Sequence, residues 1–190
     1  MSVFISSNYE MLIGFMIFII LLGILIMVLP FIKRNGKSTS IEFGLSDKEI
    51  IKIDNSFDKE EFKLEVFELY KRMETYKSKF KFEELKEVLD EELYIEEESN
   101  LKKLKNDKQK LVSTNIKLCD FKVLDIKKDL IRVYLYVSQY SYVIDSKKSV
   151  IRGTDSSVYN IEYIITIKNN LDKHFKIKEI KCTGKWISNN

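Results

Sequence analysis

His174 is the only histidine in the chain, and it stands in the charged run Leu171-Asp-Lys-His174. Acid–base chemistry near neutral pH most often uses an imidazole oriented by a carboxylate or set beside a nucleophile. A charged run of this kind reads instead as a turn, with the imidazole in water. Cys119 and Cys182 are the only cysteines, and neither belongs to a Cys-x-x-Cys pair. Isolated thiols in apparent strands offer no zinc or redox motif and are expected to pack as small buried apolar residues. The sequence holds no Walker loop, no dinucleotide fingerprint and no Ser/His/Asp set. It is expected to be no enzyme and to hold no cofactor and no metal.

Two further groups of residues could bind rather than react. Tyr134, Tyr136, Tyr140 and Tyr142 alternate with Ile131, Val133, Leu135 and Val137, so one strand shows two different faces. With Tyr163 these tyrosines are a candidate lining for an apolar cavity, although packing against helices explains them equally well. Net charge is +3, from 32 basic and 29 acidic residues, too balanced for a nucleic-acid partner. The distribution is uneven. Residues 57–110 carry 13 basic and 16 acidic side chains, whereas residues 111–190 carry 14 and 8. Lys176, Lys178 and Lys181 in this positive half are candidate contacts for anionic lipid or an acidic partner.

The elements that must position these residues begin with an apolar run. Residues 11–32 are 22 residues without a charge. At 1.5 Å per residue they make about 33 Å of helix, enough for the hydrocarbon core of a bilayer. The run is too long for a signal peptide, has no basic residue before it and no small-residue cleavage site after it. Lys33, Arg34 and Lys37 follow it, whereas Glu10 is the only charge ahead of it. The positive-inside rule then leaves residues 1–10 as a short extracytoplasmic tail and puts the rest in the cytoplasm. The same three cations are candidate headgroup contacts. Residues 33–56 read as a polar linker, with a capping-box pattern at Ser46–Glu49.

A folded domain is expected over 57–185. Its first helix should start near Phe57 with Ser56 as N-cap, its apolar stripe running Phe62, Val66, Leu69, Met73, Tyr76 and Phe80. A second helix is expected at about 81–90 and a third at about 91–107. In the third, glutamates lead and Lys102, Lys103 and Lys105 close, as the helix dipole favours. That explains the acidic cluster without a metal. Beyond Leu111 β-branched and aromatic residues dominate, and strands are expected at about 111–126, 130–144, 158–168 and 174–183. The Asp145–Lys148 turn should open a hairpin, with Gly153 at a bulge or bend. Helices followed by a meander of strands predict an α+β fold with the helices on one face of an antiparallel sheet.

Several stretches resemble the C-terminal domain of the mitochondrial inner-membrane import translocase subunit 44, in its bacterial membrane-anchored form. They are Asp90-Glu-Glu-Leu-Tyr94, Leu101-Lys-Lys-Leu104, Tyr142-Val-Ile-Asp145, and Arg152-Gly-Thr-Asp155 followed by Tyr163-Ile-Ile-Thr166. The resemblance covers about residues 57–183. It implies a cystatin-like, nuclear-transport-factor-2-like fold, with helices against a curved sheet that leaves a concave cavity. It also implies membrane association and partner binding. The chain departs from the pattern at Leu111 and Ser141, and Cys182-Thr-Gly184 is all that stands where close relatives carry a cysteine-rich ribbon, so metal binding is not carried over. The resulting expectation is an adaptor in the bacterial cell membrane, single-pass, binding an unknown protein partner, anionic lipid or both, with a link to protein transport or complex assembly. The alternatives are ligand-binding or enzymatic use of the cavity, and a channel component of a type IV secretion system.

Overall fold

A helix starts where a side chain can hold its free amides, and here Asp58 does so. Its Oδ1 accepts from Glu60 N at 2.9 Å and from Glu61 N at 3.0 Å. The computed structural model describes residues 44–46, 58–169 and 174–188. The expected span 11–32, the cations at 33, 34 and 37, and Asp47–Glu49 of the linker pattern fall outside them. Among the described residues no helix is long and apolar enough to cross a membrane.

Helix α1 runs Lys59–Lys79 and buries Phe62, Val66, Leu69, Tyr70, Met73 and Glu74, a stripe at helical spacing. Asp58, not Ser56, is its cap, because its carboxylate reaches two amides of the first turn. The helix ends on Phe80 in the left-handed region (φ 54°), with Lys81 N donating back to Tyr76 O at 3.0 Å. That pattern satisfies late carbonyls of the helix without a glycine. Helix α2 is Phe82–Val88 and α3 is Glu91–Asn106. Asp90 joins them: its Oδ1 accepts from Glu91 N at 2.8 Å, and Lys168 Nζ lies 3.3 Å from its Oδ2. Burial would raise this carboxyl, but the Glu91 amide and the Lys168 ammonium outweigh it and hold the group below the usual carboxylate range.

The strands β1 (Lys110–Lys127), β2 (Leu130–Ile144), β3 (Val150–Asn169) and β4 (Phe175–Ile187) form one antiparallel meander in that order. Cross-strand partners on the helix side make apolar rows: Val123 with Val133, Val133 with Ile165, and Ile165 with Ile180. The helices close this face with Leu85, Val88 and Leu101, and Phe62 meets Phe121 and Phe175 edge to face at 6.1 and 5.2 Å. The core lies in this layer between helices and sheet. After α2 the chain runs beside β4, with Leu89 bridging Ile177 and Asp90 N donating to Ile177 O at 2.8 Å. The sheet edges are irregular: pairing of β1 shifts register three times and that of β4 twice. Bulges of this kind blunt an edge against further pairing.

Two further expectations need correction. β3 starts at Val150, not near 158, because its polar first half is held by β2 rather than by its own propensity; Arg152 and Thr154 pair with Val143 and Ser141. Gly153, at φ +80°, lies inside that strand opposite Tyr142. Cys119 and Cys182 are exposed, not buried, since each lies beside a register shift in an edge strand.

Candidate functional site: a polar cluster between helices and sheet

The inward face of β2 reads Ile131, Val133, Leu135, Val137 and then Gln139, all buried. The last position breaks an apolar row with an amide that must find partners. It finds one in α1: Tyr70 Oη donates to Gln139 Oε1 at 3.0 Å. Tyr163 of β3 packs against Tyr70 with ring centroids 5.5 Å apart. One turn along α1 from Tyr70, Glu74 is buried too, and its Oε2 accepts from Ser113 Oγ of β1 at 2.5 Å. Lys77 then stands between two carboxylates, 3.8 Å from Glu74 Oε1 and 3.0 Å from Glu97 Oε2 of α3. Each of these residues has a place that the spacing of its own element dictates, since positions 70, 74 and 77 share one helix face.

Burial, helped by the Glu74 carboxylate, pushes the Tyr70 hydroxyl well above its ordinary range, and Tyr163 is raised for the same two reasons. Burial alone would pull the Lys77 ammonium down, but Glu74 and Glu97 outweigh it and raise it. The cluster is thus two neutral phenols, an amide and an ion triad. Its groups spend their bonding capacity on one another, so the arrangement locks α1 and α3 to three strands. Among the described residues, Ser78 Oγ is buried beside it with no hydrogen-bond partner.

The tyrosines proposed from sequence are not brought together. Tyr163 faces the helices. Tyr134 and Tyr136 alternate with the core residues of β2 and face the other side of the sheet. There Tyr134 Oη donates to Glu162 Oε1 at 2.8 Å under the Lys122 ammonium, and Tyr136 lies 5.7 Å from the Trp186 ring. Tyr140 and Tyr142 are half-buried near the end of β2, where its pairing with β3 shifts register. Of the lysines, Lys176 is half-buried and donates to Lys86 O at 3.0 Å, which ties β4 to α2; Lys178 and Lys181 are exposed. His174 is exposed just before β4. A polar recess of about 330 Å³ opens where α1 meets β1, between Lys59, Lys63, Cys119 and Asp120.

Tyr70, Glu74 and Gln139 were not singled out by sequence reasoning. The signal was present in part: Gln139 continues the inward phase of β2, and Glu74 follows Met73 inside the apolar stripe of α1.

Three helices on one face of a four-stranded antiparallel sheet define a small α+β domain. The model of the Tim44-like domain matches residues 45–181, and the chain belongs to that family. A comparison with curated proteins finds no match. Among solved structures the chain resembles the intermembrane space region of the chloroplast protein ARC6, with 17% identity and a TM-score of 0.46 over 62% of this chain and 92% of that one.

Proposed function

We propose that the protein is a single-pass membrane adaptor: residues 11–32 anchor it, and the Tim44-like domain acts at the inner face of a bacterial cell membrane. There it binds a protein partner, anionic lipid or both, in protein transport or the assembly of a membrane complex. The observation that carries this reading is the order of parts, a 22-residue uncharged run followed by a Tim44-like match over 45–181. The family supports association with membranes and with transport assemblies. Lys33, Arg34 and Lys37 after the run support a cytoplasmic domain. The polar cluster under α1 supports a non-catalytic role, because its groups are engaged with each other. The cystatin-like form of the fold belongs to the same reading.

Alkaline carbonate extraction and protease added outside intact spheroplasts test this together. The chain should stay with the membranes, and the domain should be protected until the spheroplasts are lysed. Release by carbonate removes the anchor. Digestion from outside would move the domain across the membrane and favour a secretion-channel component.

A further inference from the structure

Helix α3 gives one face to the domain and turns another to solvent. Leu101 is buried, Leu93, Tyr94 and Leu104 pack against the core, and Glu97 reaches Lys77 of α1 at 3.0 Å. On the other side Glu92, Ile95, Glu96 and Ser99 are exposed, and so are Lys102, Lys103 and Asn106. Their spacing of three and four makes them one outward stripe along the helix. Ile95, at 60%, is the most exposed large apolar side chain among the described residues.

The helix dipole accounts for Glu91 and Glu92 in the first turn of α3 and for Lys103 and Lys105 in the last. It does not account for Ile95, nor for Glu96 beyond the first turn. Among the described residues Glu92, Glu96 and Lys103 have no ion-pair partner, while Lys102 Nζ lies 2.9 Å from Glu98 Oε2 of its own helix. The stripe reads the same from both ends, with its charge inverted. Counted from Ser99, Glu96 and Lys102 lie three residues to either side, Ile95 and Lys103 four, and Glu92 and Asn106 seven. A second α3 turned end to end about an axis at Ser99 therefore sets its lysines beside the glutamates of the first. Each Ile95 then lies on the aliphatic stem of the other copy's Lys103. Ser99 at the crossing is small enough for the helices to approach to about 8 Å. A parallel pair would instead put glutamate against glutamate.

We propose that this face of α3 binds a second copy of the chain, the two helices packing antiparallel about a two-fold axis at Ser99. A foreign helix would need the same mirrored order of acid, apolar and basic residues, which this chain already carries. The contact is isologous and closes on itself, so it makes a dimer and not a filament. One helix pair buries less than the roughly 1,200 Å² of a stable interface, so the dimer is a weak one that a raised local concentration strengthens. The inference goes beyond the adaptor reading and holds wherever the domain resides.

The test uses the full chain with Cys119→Ser and Cys182→Ser, since both native thiols are exposed. Copper phenanthroline oxidises it in whichever cell fraction holds the chain, so a failed anchor does not decide the result. Ser99→Cys meets its own copy at the axis and is expected to give a covalent dimer. Two Glu92→Cys thiols stand about 21 Å apart along the helices and should give at least fivefold less, yet link to a co-produced Asn106→Cys chain. Lys178→Cys, exposed on β4, reads random collision and should give as little. Glu96→Lys should lower the Ser99→Cys dimer at least fivefold, and Lys103→Glu added in the same chain should restore it. Every substituted position of the stripe is exposed, so a lost dimer is not a lost fold. No dimer from Ser99→Cys, equal yields from Ser99→Cys, Glu92→Cys and Lys178→Cys, or a charge swap that fails to restore the dimer overturns the proposal. So does a Ser99→Cys product whose mass shows a different protein in place of the second copy.

Discussion

Tyr70 and Gln139 are 69 positions apart, and the phenol of the one donates to the amide of the other at 3.0 Å in a fully buried setting. The bond joins the first helix to the second strand at the point where the apolar row of β2 ends. It satisfies the amide of Gln139, which among the described residues is one of three buried polar or charged residues with Glu74 and Thr166.

Because both groups are buried, losing one partner should cost more than losing both. Tyr70→Phe is expected to destabilise by about 1–3 kcal/mol, leaving the Gln139 carbonyl unpaired. Adding Gln139→Leu should recover part of that loss. Urea denaturation of the four proteins of the cycle measures the coupling, and additive losses would show that the bond contributes nothing.

Alkaline pH should unfold the domain early. Lys77, Tyr70 and Tyr163 all have raised values in the folded chain. The folded state therefore keeps protons that the unfolded state releases, and stability falls as pH rises. The contribution is fully present below about pH 10, where both states are protonated, and is lost above it, by up to about 1.4 kcal/mol per pH unit for each group. Circular dichroism against pH should show a drop that Tyr70→Phe makes shallower; an unchanged slope in that variant would contradict the assignment.

Gly153→Ala should be costly for two reasons. The backbone is at φ +80°, and an added Cβ would stand 2.7 Å from Ser141 O and 3.1 Å from Tyr142 Cα. A loss of about 2–3 kcal/mol is expected, since strand backbone cannot yield as a flexible side chain would. Thermal melting checks it, and a neutral result would mean that the β2–β3 arm adds little to the cooperative unit.

The domain should fold without its N-terminal segment. A fragment from Gly44 onward keeps Leu45, whose amide donates to Val123 O at 2.7 Å. It should be soluble and melt cooperatively. In it Leu135→Ala is expected to cost about 2–5 kcal/mol, because that side chain is fully buried. Phe67 is only half-buried, with Lys71 Nζ 5.1 Å above its ring, so Phe67→Ala should cost about 1–2 kcal/mol. Aggregation of the wild-type fragment in all mild conditions would show dependence on the membrane or a partner.

The order and type of the elements were legible in the sequence because helix and strand periodicities are local. Apolar residues at spacings of three and four mark α1, and alternation marks β2 from Leu130 to Ile144. Even there the cap moved from Ser56 to Asp58, since which side chain reaches the amides is a matter of geometry rather than type. What only the tertiary structure decided is which distant residues meet. The polar start of β3 is a strand because β2 pairs with it. Tyr134 and Tyr136 lie on the face of β2 away from the helices, because the helices cover the opposite phase of the same strand. Gln139, Tyr70 and Tyr163 come together through register and packing between segments far apart in the chain. Spacing within one element carries no record of those neighbours. The cross-strand register and the burial of shared apolar surface select them when the chain folds.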